Sequence, residues 1–408
     1  MGVFEVLRDR GFISQCTDEE ALKDLLNNGK ITIYLGVDPT SSSLHIGHTV
    51  PFYALSHLYR AGHTVINLMG GGTGRIGDPS GKTEMRKILT YEEIDCNILG
   101  IKSQLGSFFD FSSKNAIIAN NADWLADLNY IDFLRDIGRH FSVNKMLSFE
   151  SYKKRMKTGL SFLEFNYQLL QSYDYYMLNQ KYNCLLQIGG DDQWGNIVAG
   201  IDLIRRMGGA QCYGLTCPLI TTSDGKKMGK SEKGAVFLST DLTSPYEFFQ
   251  YWRNVDDRDV ERFLLLFTFL PTEECHSLVR AQGTNINRIK ERLAYEITRQ
   301  IHGEEEADKA LSAAHALFSG AGNLSDIPQG IISVAELKGV GIEVAELLSR
   351  CKLCKSKSDA RRMITQGAVS VNNQKISDGK TMLTIGNLHD NGLLLKVGKK
   401  KYFRFMVE

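Results

Sequence analysis

Short β-rich apolar runs alternate with helix-like stretches through the first 220 residues, and this alternation narrows the fold more than any other feature of the chain. Residues 31–36 form one such run, followed by a polar loop and a helical stretch over 49–61. Residues 64–69 form the next, ending in Gly70-Gly71-Gly72-Thr73-Gly74. Residues 115–119, 184–188 and 215–220 supply further runs, each with helical sequence nearby. A single apolar run of this length fits a strand or a buried helix segment, so the repetition carries the assignment. It predicts βαβ units: a parallel sheet covered by helices, with ligands at the carboxyl ends of its strands.

The rest of the chain departs from that rhythm. Residues 124–159 have helical pattern and interrupt the alternation, as an insertion or an interaction surface would. From 245 to 318 helix follows helix, over 245–254, 257–269, 286–301 and 304–318. Residues 320–341, with several glycines and one proline, read as a linker. Helical stretches at 344–353 and 358–366 come next, and Ala368-Val369-Ser370-Val371 then reads as a strand entering an Asn372-Asn373 turn. The expected class is therefore α/β. A Rossmann-like parallel-sheet domain at 1–225, with a helical insertion at about 124–160, precedes a helical domain at 226–320. A linker at 321–344 and a small α+β domain at 345–408 complete the chain.

Charge separates the last of these from the others. Residues 345–408 carry thirteen Lys and Arg against five Asp and Glu. The total is only +1, so the preceding 344 residues sum to −7. A basic appendage on an acidic body favours a polyanionic partner, nucleic acid first; charge alone leaves a merely soluble basic surface open. No stretch approaches the roughly 20 apolar residues that cross a bilayer, and residues 1–10 lack the basic-then-apolar plan of a secretory leader. Eight scattered cysteines, with one C-x-x-C at Cys351 and Cys354, read as reduced thiols and not as a disulfide frame or zinc site.

Two short motifs carry chemistry. His45-Ile46-Gly47-His48 follows a strand and loop and precedes a helix with Pro51 in its first turn, where backbone N–H groups favour an anion. Asp224-Gly225-Lys226-Lys227-Met228-Gly229-Lys230-Ser231 is a glycine-interrupted loop with three lysines, suited to charge developing on phosphate. Either alone would read as polar surface. Together, in this order and about 180 residues apart on a βαβ background, they resemble the HIGH and KMSKS signatures of class I aminoacyl-tRNA synthetases. Gly229 departs from the serine usual in the second signature. Gly72-Thr73-Gly74-Arg75-Ile76-Gly77 also satisfies a dinucleotide-binding G-x-G-x-x-G, but the segment 83–97 that should close on an acidic residue is helical in pattern, not a strand. Gly77–Lys82 is one residue short of a P-loop. These glycines are read as letting the backbone pass close to a substrate.

Three longer runs are similar to the tyrosyl branch of that family: Tyr34–Thr40, Gly70–Lys82 and Gln187–Asn196. The resemblance extends from about residue 30 to the C-terminus. It implies that Tyr34 and Asp174 hold a phenolic hydroxyl, with Gly36 at the tyrosine site, and that Asp78, Tyr167 and Gln171 hold the ammonium. Tyr167, Gln171 and Asp174 share one helix face by spacing, a polar stripe where an apolar one would mark core. The same resemblance places Thr40 and His45 toward the γ-phosphate of ATP, and Lys82, Arg86, Lys227, Lys230 and Ser231 around the departing pyrophosphate. Gly47 falls to the ATP site, His48, Asp192 and Gln193 to ribose and the tyrosine carboxylate, and Asp38 to the α-phosphate and ammonium. Relatives often have cysteine at Leu35 and some have threonine at Pro51, so ribose binding rests more on Asp192. The expected reaction joins L-tyrosine to ATP and then to tRNA, with Mg²⁺ arriving on ATP, no tightly bound cofactor and no protein metal site. The resemblance further implies a cytoplasmic homodimer, with Phe133, Leu134, Phe141 and Phe162 as interface or core residues, and a ribosomal-S-four-type RNA-binding fold for the tail. A tryptophanyl enzyme and a non-catalytic RNA-binding paralogue are the rival readings; the Tyr34/Asp174 pair opposes the first, and both intact signatures oppose the second.

Overall fold

A computed structural model describes the chain apart from residues 1, 81–87, 224, 226–227, 229, 232–233, 281–284, 320–327, 373, 389–391 and 399–400. Six strands form the main sheet: β1 Gln15–Cys16, β2 Thr32–Val37, β3 Thr64–Met69, β4 Ala116–Asn120, β5 Cys184–Gly190 and β6 Tyr213–Cys217. Their order is β1-β6-β5-β2-β3-β4. Strands β2 to β6 pair in parallel. The chain thus steps from β2 outward to β4, then returns past β2 to β5 and steps the other way. That reversal opens a crevice at the carboxyl ends of β2 and β5, where open α/β sheets bind ligands. Strand β3 is buried from Val65 to Met69, as expected of a central strand covered on both faces. The five strands read from sequence are present; β1, an antiparallel edge pair of two residues, is too short to leave a pattern.

The covering helices in this half are α1 Val3–Asp9, α2 Glu19–Asn28, α3 Thr49–Arg60, α4 Tyr91–Leu105, α5 Ala122–Leu125, α6 Tyr130–Asp136, α7 Val143–Ser148, α8 Glu150–Met156, α9 Phe162–Tyr182 and α10 Trp194–Arg206. Helices α5 to α8 are the insertion between β4 and β5. Helix α9, the longest of these, opens on a capping box between Ser161 and Glu164 and stops at Asn183, which takes a left-handed φ of 50°. Phe133 belongs to a buried cluster with Ile137 and Met146, and Phe141 packs partly against it. Leu134 and Phe162 are exposed, Phe162 at 71%.

Beyond the sheet come α11 Pro245–Arg253, α12 Val260–Phe267, α13 Thr272–Arg280, α14 Ile286–His302 and α15 Glu304–Ser319. They do not form the single helical domain expected at 226–320. One compact unit comprises residues 1–243 and 255–301; the other comprises 244–254 and 302–408. The reason lies in which faces are apolar. Helix α12 is buried on most of its surface, from Val260 through Phe267, so it needs the large core beside α3. Its carboxyl end is held by Arg10, whose guanidinium donates to the carbonyls of Leu265 and Thr268 at 2.7 and 2.8 Å and to that of Leu270. Helix α11 instead packs on α15, with Phe248 edge-on to His302 at 4.8 Å.

The second unit also takes in most of the expected linker. Strand β9 Gln329–Ile332 and helix α16 Val334–Leu337 precede β10 Ile342–Glu343, helices α17 Val344–Arg350 and α18 Lys357–Thr365, and strands β11 Val369–Val371, β12 Gln374–Ile376, β13 Met382–Leu383, β14 Gly392–Val397 and β15 Lys401–Val407. Two further short strands, 230–231 and 234–235, pair as a hairpin in the first unit. A five-stranded sheet runs β12-β11-β14-β15-β9, with β9 parallel to β15. Gly330, a linker signal in the sequence, is there because a Cβ would stand 3.1 Å from the Phe403 ring. The α+β fold therefore starts near residue 328, not 345. No helix among the described residues is long and apolar enough to cross a membrane.

Candidate active site

The crevice between β2 and β5 holds a cavity of about 260 Å³. Tyr34 from β2 and Asp174 from α9 line its inner end, both almost wholly buried. The Tyr34 hydroxyl has no protein partner. Burial, then the nearby Asp174 carboxyl, drives the Tyr34 phenol well above its ordinary pKa. Asp174 is fixed by two donors: Asn121 Nδ2 to Oδ2 at 2.9 Å and Trp124 Nε1 to Oδ1 at 2.7 Å. Burial outweighs those donors and, with the Asp38 charge adding to it, pushes the Asp174 carboxyl up to about 8. A carboxyl beside an unpartnered phenol, both dry, presents one acceptor and one donor to a ligand group that needs both.

The polar stripe on α9 continues toward the mouth. Tyr167, Gln171 and Asp174 all line the cavity, as their spacing predicts. Tyr167 Oη donates to Asp38 Oδ2 at 2.9 Å, and Thr73 Oγ1 donates to Asp38 Oδ1 at 2.7 Å. Asn121 Nδ2 donates to Thr73 Oγ1 at 2.9 Å, which ties this carboxylate to the one at the inner end. A second chain runs through Asp78: Gln193 Nε2 donates to Oδ2 at 2.7 Å and Ser80 N to Oδ1 at 2.9 Å. Asn196 Nδ2 bridges Gln171 Oε1 and Gln193 Oε1 at 3.0 and 3.1 Å. Two carboxylates and two amide oxygens thus converge where a cationic group would be welcome.

At the opposite end His45 to His48 form one 3-10 turn ahead of α3. The two imidazoles stack with centroids 3.6 Å apart. His45 Nδ1 accepts from Gly47 N at 3.1 Å, which places that ring's proton on Nε2. Thr40 and His48 line the cavity; His45 is not part of its wall and backs His48. A Cβ on Gly47 would lie 2.9 Å from the His45 ring and 3.2 Å from the Met228 carbonyl, so only glycine lets the turn and the lysine-rich segment meet. The chain leaving that segment runs antiparallel to the turn: Ile46 N donates to Val236 O at 3.0 Å and Leu238 N to Leu44 O at 2.9 Å. The two motifs, 180 residues apart in sequence, are thus adjacent in the backbone. Lys82, Arg86 and Lys227 lie outside the described residues, as do the side chains of Lys230 and Ser231.

Gly36, Asp38, Gly47, Asp192 and Gln193 line the cavity, as do Leu35 and Pro51, which offer no side-chain donor. No cluster of three or more metal-ligating side chains is present among the described residues. The glycine run differs from its reading: Gly72 and Gly74 lie close to the Leu125 and Pro39 side chains, and the stretch after β3 is a 3-10 turn and not a helix start. Asn121 and Trp124 escaped the sequence, and two ends of the 187–196 run were given no role there: Asn196 and the buried cavity-lining Gln187, whose Oε1 is unpartnered. Asn121 follows the carboxyl end of β4, and that position was the available signal.

The family pattern described as class I tRNA synthetases (W and Y) matches residues 26–319. That of the tyrosine--tRNA ligase SYY-like C-terminal domain matches residues 324–405. The tyrosine--tRNA ligase of Treponema denticola is 59% identical over 403 residues, 98% of each chain. That of Clostridium tetani is 52% identical over 406 residues, 100% of this chain and 99% of the relative. A solved structure, the C-terminally truncated mitochondrial tyrosyl-tRNA synthetase of Aspergillus nidulans, is similar with a TM-score of 0.70 at 31% identity, covering 78% of this chain and 94% of that one. Its sheet, its paired signatures and its full-length similarity agree: the chain belongs to the class I tRNA synthetases (W and Y), in their tyrosine--tRNA ligase branch.

Proposed function

We propose that the chain activates L-tyrosine with ATP in the β2/β5 crevice and passes the tyrosyl group to tRNA, with the side-chain roles given below. The observation that carries this reading is the unpartnered, buried Tyr34 hydroxyl beside the Asp174 carboxyl. Tyr34 Oη donates to the substrate phenol oxygen, whose own proton goes to Asp174. A site built to hydrogen-bond a hydroxyl rejects the analogue lacking it by orders of magnitude, tyrosyl enzymes being the standing example. The ammonium sits among Asp78, Tyr167 and Gln171, with Asp38 close by. This leaves the substrate carboxylate facing outward, toward Gln193, Asp192 and His48.

The first step needs no enzyme nucleophile. The tyrosine carboxylate attacks the α-phosphorus of ATP in line and pyrophosphate departs, so catalysis is positioning plus stabilisation of spreading negative charge. Thr40 and His45, its Nε2 carrying the proton, take the γ-phosphate side. Lys82, Arg86, Lys227, Lys230 and Ser231 meet the pyrophosphate, and Mg²⁺ arrives with ATP. Asp192 holds the ribose, since Leu35 and Pro51 cannot. The basic C-terminal domain binds tRNA phosphates and RNA shape. Exposed Ile131 and Val143 on the insertion helices and Phe162 at the start of α9 favour a homodimer that holds tRNA across two subunits. Cys184, Cys212, Cys217 and Cys275, buried as thiols, suit a reducing cytoplasm. Amino-acid-dependent pyrophosphate exchange tests the reading: tyrosine supports exchange and tryptophan and phenylalanine do not. Exchange with tryptophan alone would overturn it.

A further inference from the structure

The phosphate-side loop before His45 has no secondary structure of its own, and its support comes from α4. Three residues on one face of that helix, at i, i+3 and i+7, meet the loop in order. Asn97 Nδ2 donates to Pro39 O at 2.9 Å. Gly100 lies so close to Ser42 that a Cβ there would fall 2.1 Å from the Ser42 carbonyl oxygen. Gln104 Oε1 accepts from Leu44 N at 2.8 Å, and Gln104 Nε2 donates to Ser43 Oγ at 3.0 Å. The Leu44 N–H can only donate, so it fixes which way the Gln104 amide faces.

Ser43 is the node of this arrangement. Its hydroxyl is 2% exposed as a residue and uses its full hydrogen-bonding capacity: it donates to Leu44 O at 2.8 Å and accepts from Gln104 and from Ser239 N at 3.1 Å. Ser239 follows the strip, Val236 to Leu238, that pairs with the His45 turn after leaving the lysine-rich segment. One buried hydroxyl therefore joins α4, the loop carrying Thr40 to His45, and the chain emerging from the second signature.

We propose that Gln104, through Ser43, is a positioning residue for adenylate formation, holding the Thr40–His45 segment in register with the chain that follows the lysine-rich loop. This rests on the reading above that Thr40 and His45 serve the γ-phosphate. Gln104 is not part of the cavity wall; Ser43 is, with its hydroxyl already committed to Leu44, Gln104 and Ser239, and neither is given a substrate contact in that role. Loss of the anchor misplaces groups that act on developing charge, so it lowers the rate of the chemical step and spares tyrosine binding, whose contacts lie at the other end of the cavity.

The test uses the full-length enzyme with Gln104→Leu, which keeps bulk and removes both hydrogen bonds, and Ser43→Ala as a milder second variant. Single-turnover formation of tyrosyl-adenylate and the tyrosine Kd are measured in wild-type, His45→Ala and Thr40→Ala backgrounds. Gln104→Leu is expected to slow adenylate formation about tenfold, within the range that misplacement by about an ångström costs, with tyrosine Kd changed less than about twofold. In the His45→Ala background the same substitution should cost less than about threefold, because coupled residues are not additive. Ser43→Ala should show the same pattern at smaller size, and it gives the answer if Gln104→Leu does not fold. An equal factor in all backgrounds, or a parallel loss of tyrosine affinity, means a merely structural role and overturns the proposal. If His45→Ala and Thr40→Ala themselves leave adenylate formation unchanged, the γ-phosphate reading falls and takes this proposal with it, a pattern distinct from failure of Gln104 alone.

Discussion

The two ends of the cavity are built on opposite plans. At the tyrosine end side chains hold side chains: Trp124 and Asn121 grip Asp174, and Thr73 and Tyr167 grip Asp38. At the phosphate end what is held is mostly backbone: the His45 turn pairs main chain to main chain with Val236–Leu238, and side chains of α4 pin the loop before it. The contrast follows from what each end must do. Recognition of a hydroxyl needs a few groups fixed in a dry place before the ligand arrives. Transfer of a phosphoryl group needs donors that meet charge where it develops, which a placed turn and long cationic side chains supply.

Four perturbations would break or sharpen this contrast. The largest effect should come from a third region: removal of residues 320–408 takes away the basic sheet domain and should lower aminoacylation about 10³-fold, as loss of several phosphate contacts does. Pyrophosphate exchange should stay within about twofold, because the cavity residues all precede the cut. Loss of both activities would mean that the tail completes the catalytic fold. Next, Lys230→Ala should slow adenylate formation by roughly 10²-fold or more, measured by quenched flow, with tyrosine Kd unchanged in equilibrium dialysis. A matching loss of tyrosine affinity would erase the distinction between the two ends.

Tyr34→Phe should act the other way. It should cut the preference for tyrosine over phenylalanine about tenfold, the worth of one hydrogen bond, in exchange assays that leave the ATP KM unaltered. The smallest effect is a pH dependence. The Asp174 carboxyl, raised to about 8 by burial, is mostly protonated at pH 7 in the empty site and ionised above 8. A phenol that donates to it favours the carboxylate, so tyrosine affinity should rise about threefold or more between pH 7 and 8.5. Asp174→Asn should flatten that profile; an unchanged slope would place the titrating group elsewhere.

What the sequence reveals depends on whether a residue sits in a repeating pattern. The five parallel strands and the Tyr167–Gln171–Asp174 stripe each repeat at a period, so they are legible. Asn121, Trp124, Ser43 and Gln104 hold other residues in place, and supporting roles leave no period. Composition misled at 328–344, where Gly330 is a packing residue under Phe403 and not a flexible spacer. Contiguity misled at 226–320, since α11 and α15 face one another while α12, between them in sequence, is drawn into the sheet core. The tyrosine end was legible through the resemblance, with the polar spacing on α9 in agreement. The phosphate end was readable only as two motifs, because the backbone pairing that joins them carries no residue preference.

Arg10 sets an order on how this enzyme can be made. Its guanidinium is 4% exposed and ends on the carbonyls of Leu265, Thr268 and Leu270. On the ribosome, the first helix therefore has no partner for this charge until residue 270 has left the exit tunnel. Strands β2 to β6 can pair earlier, and helix α1 can pack on α2 and α3 as they emerge, but the Arg10 bonds must wait for the far end of the unit. Arg10, among the first residues made, thus ties in the end of α12 late, and refolding of the intact chain need not follow the same sequence of events as its birth.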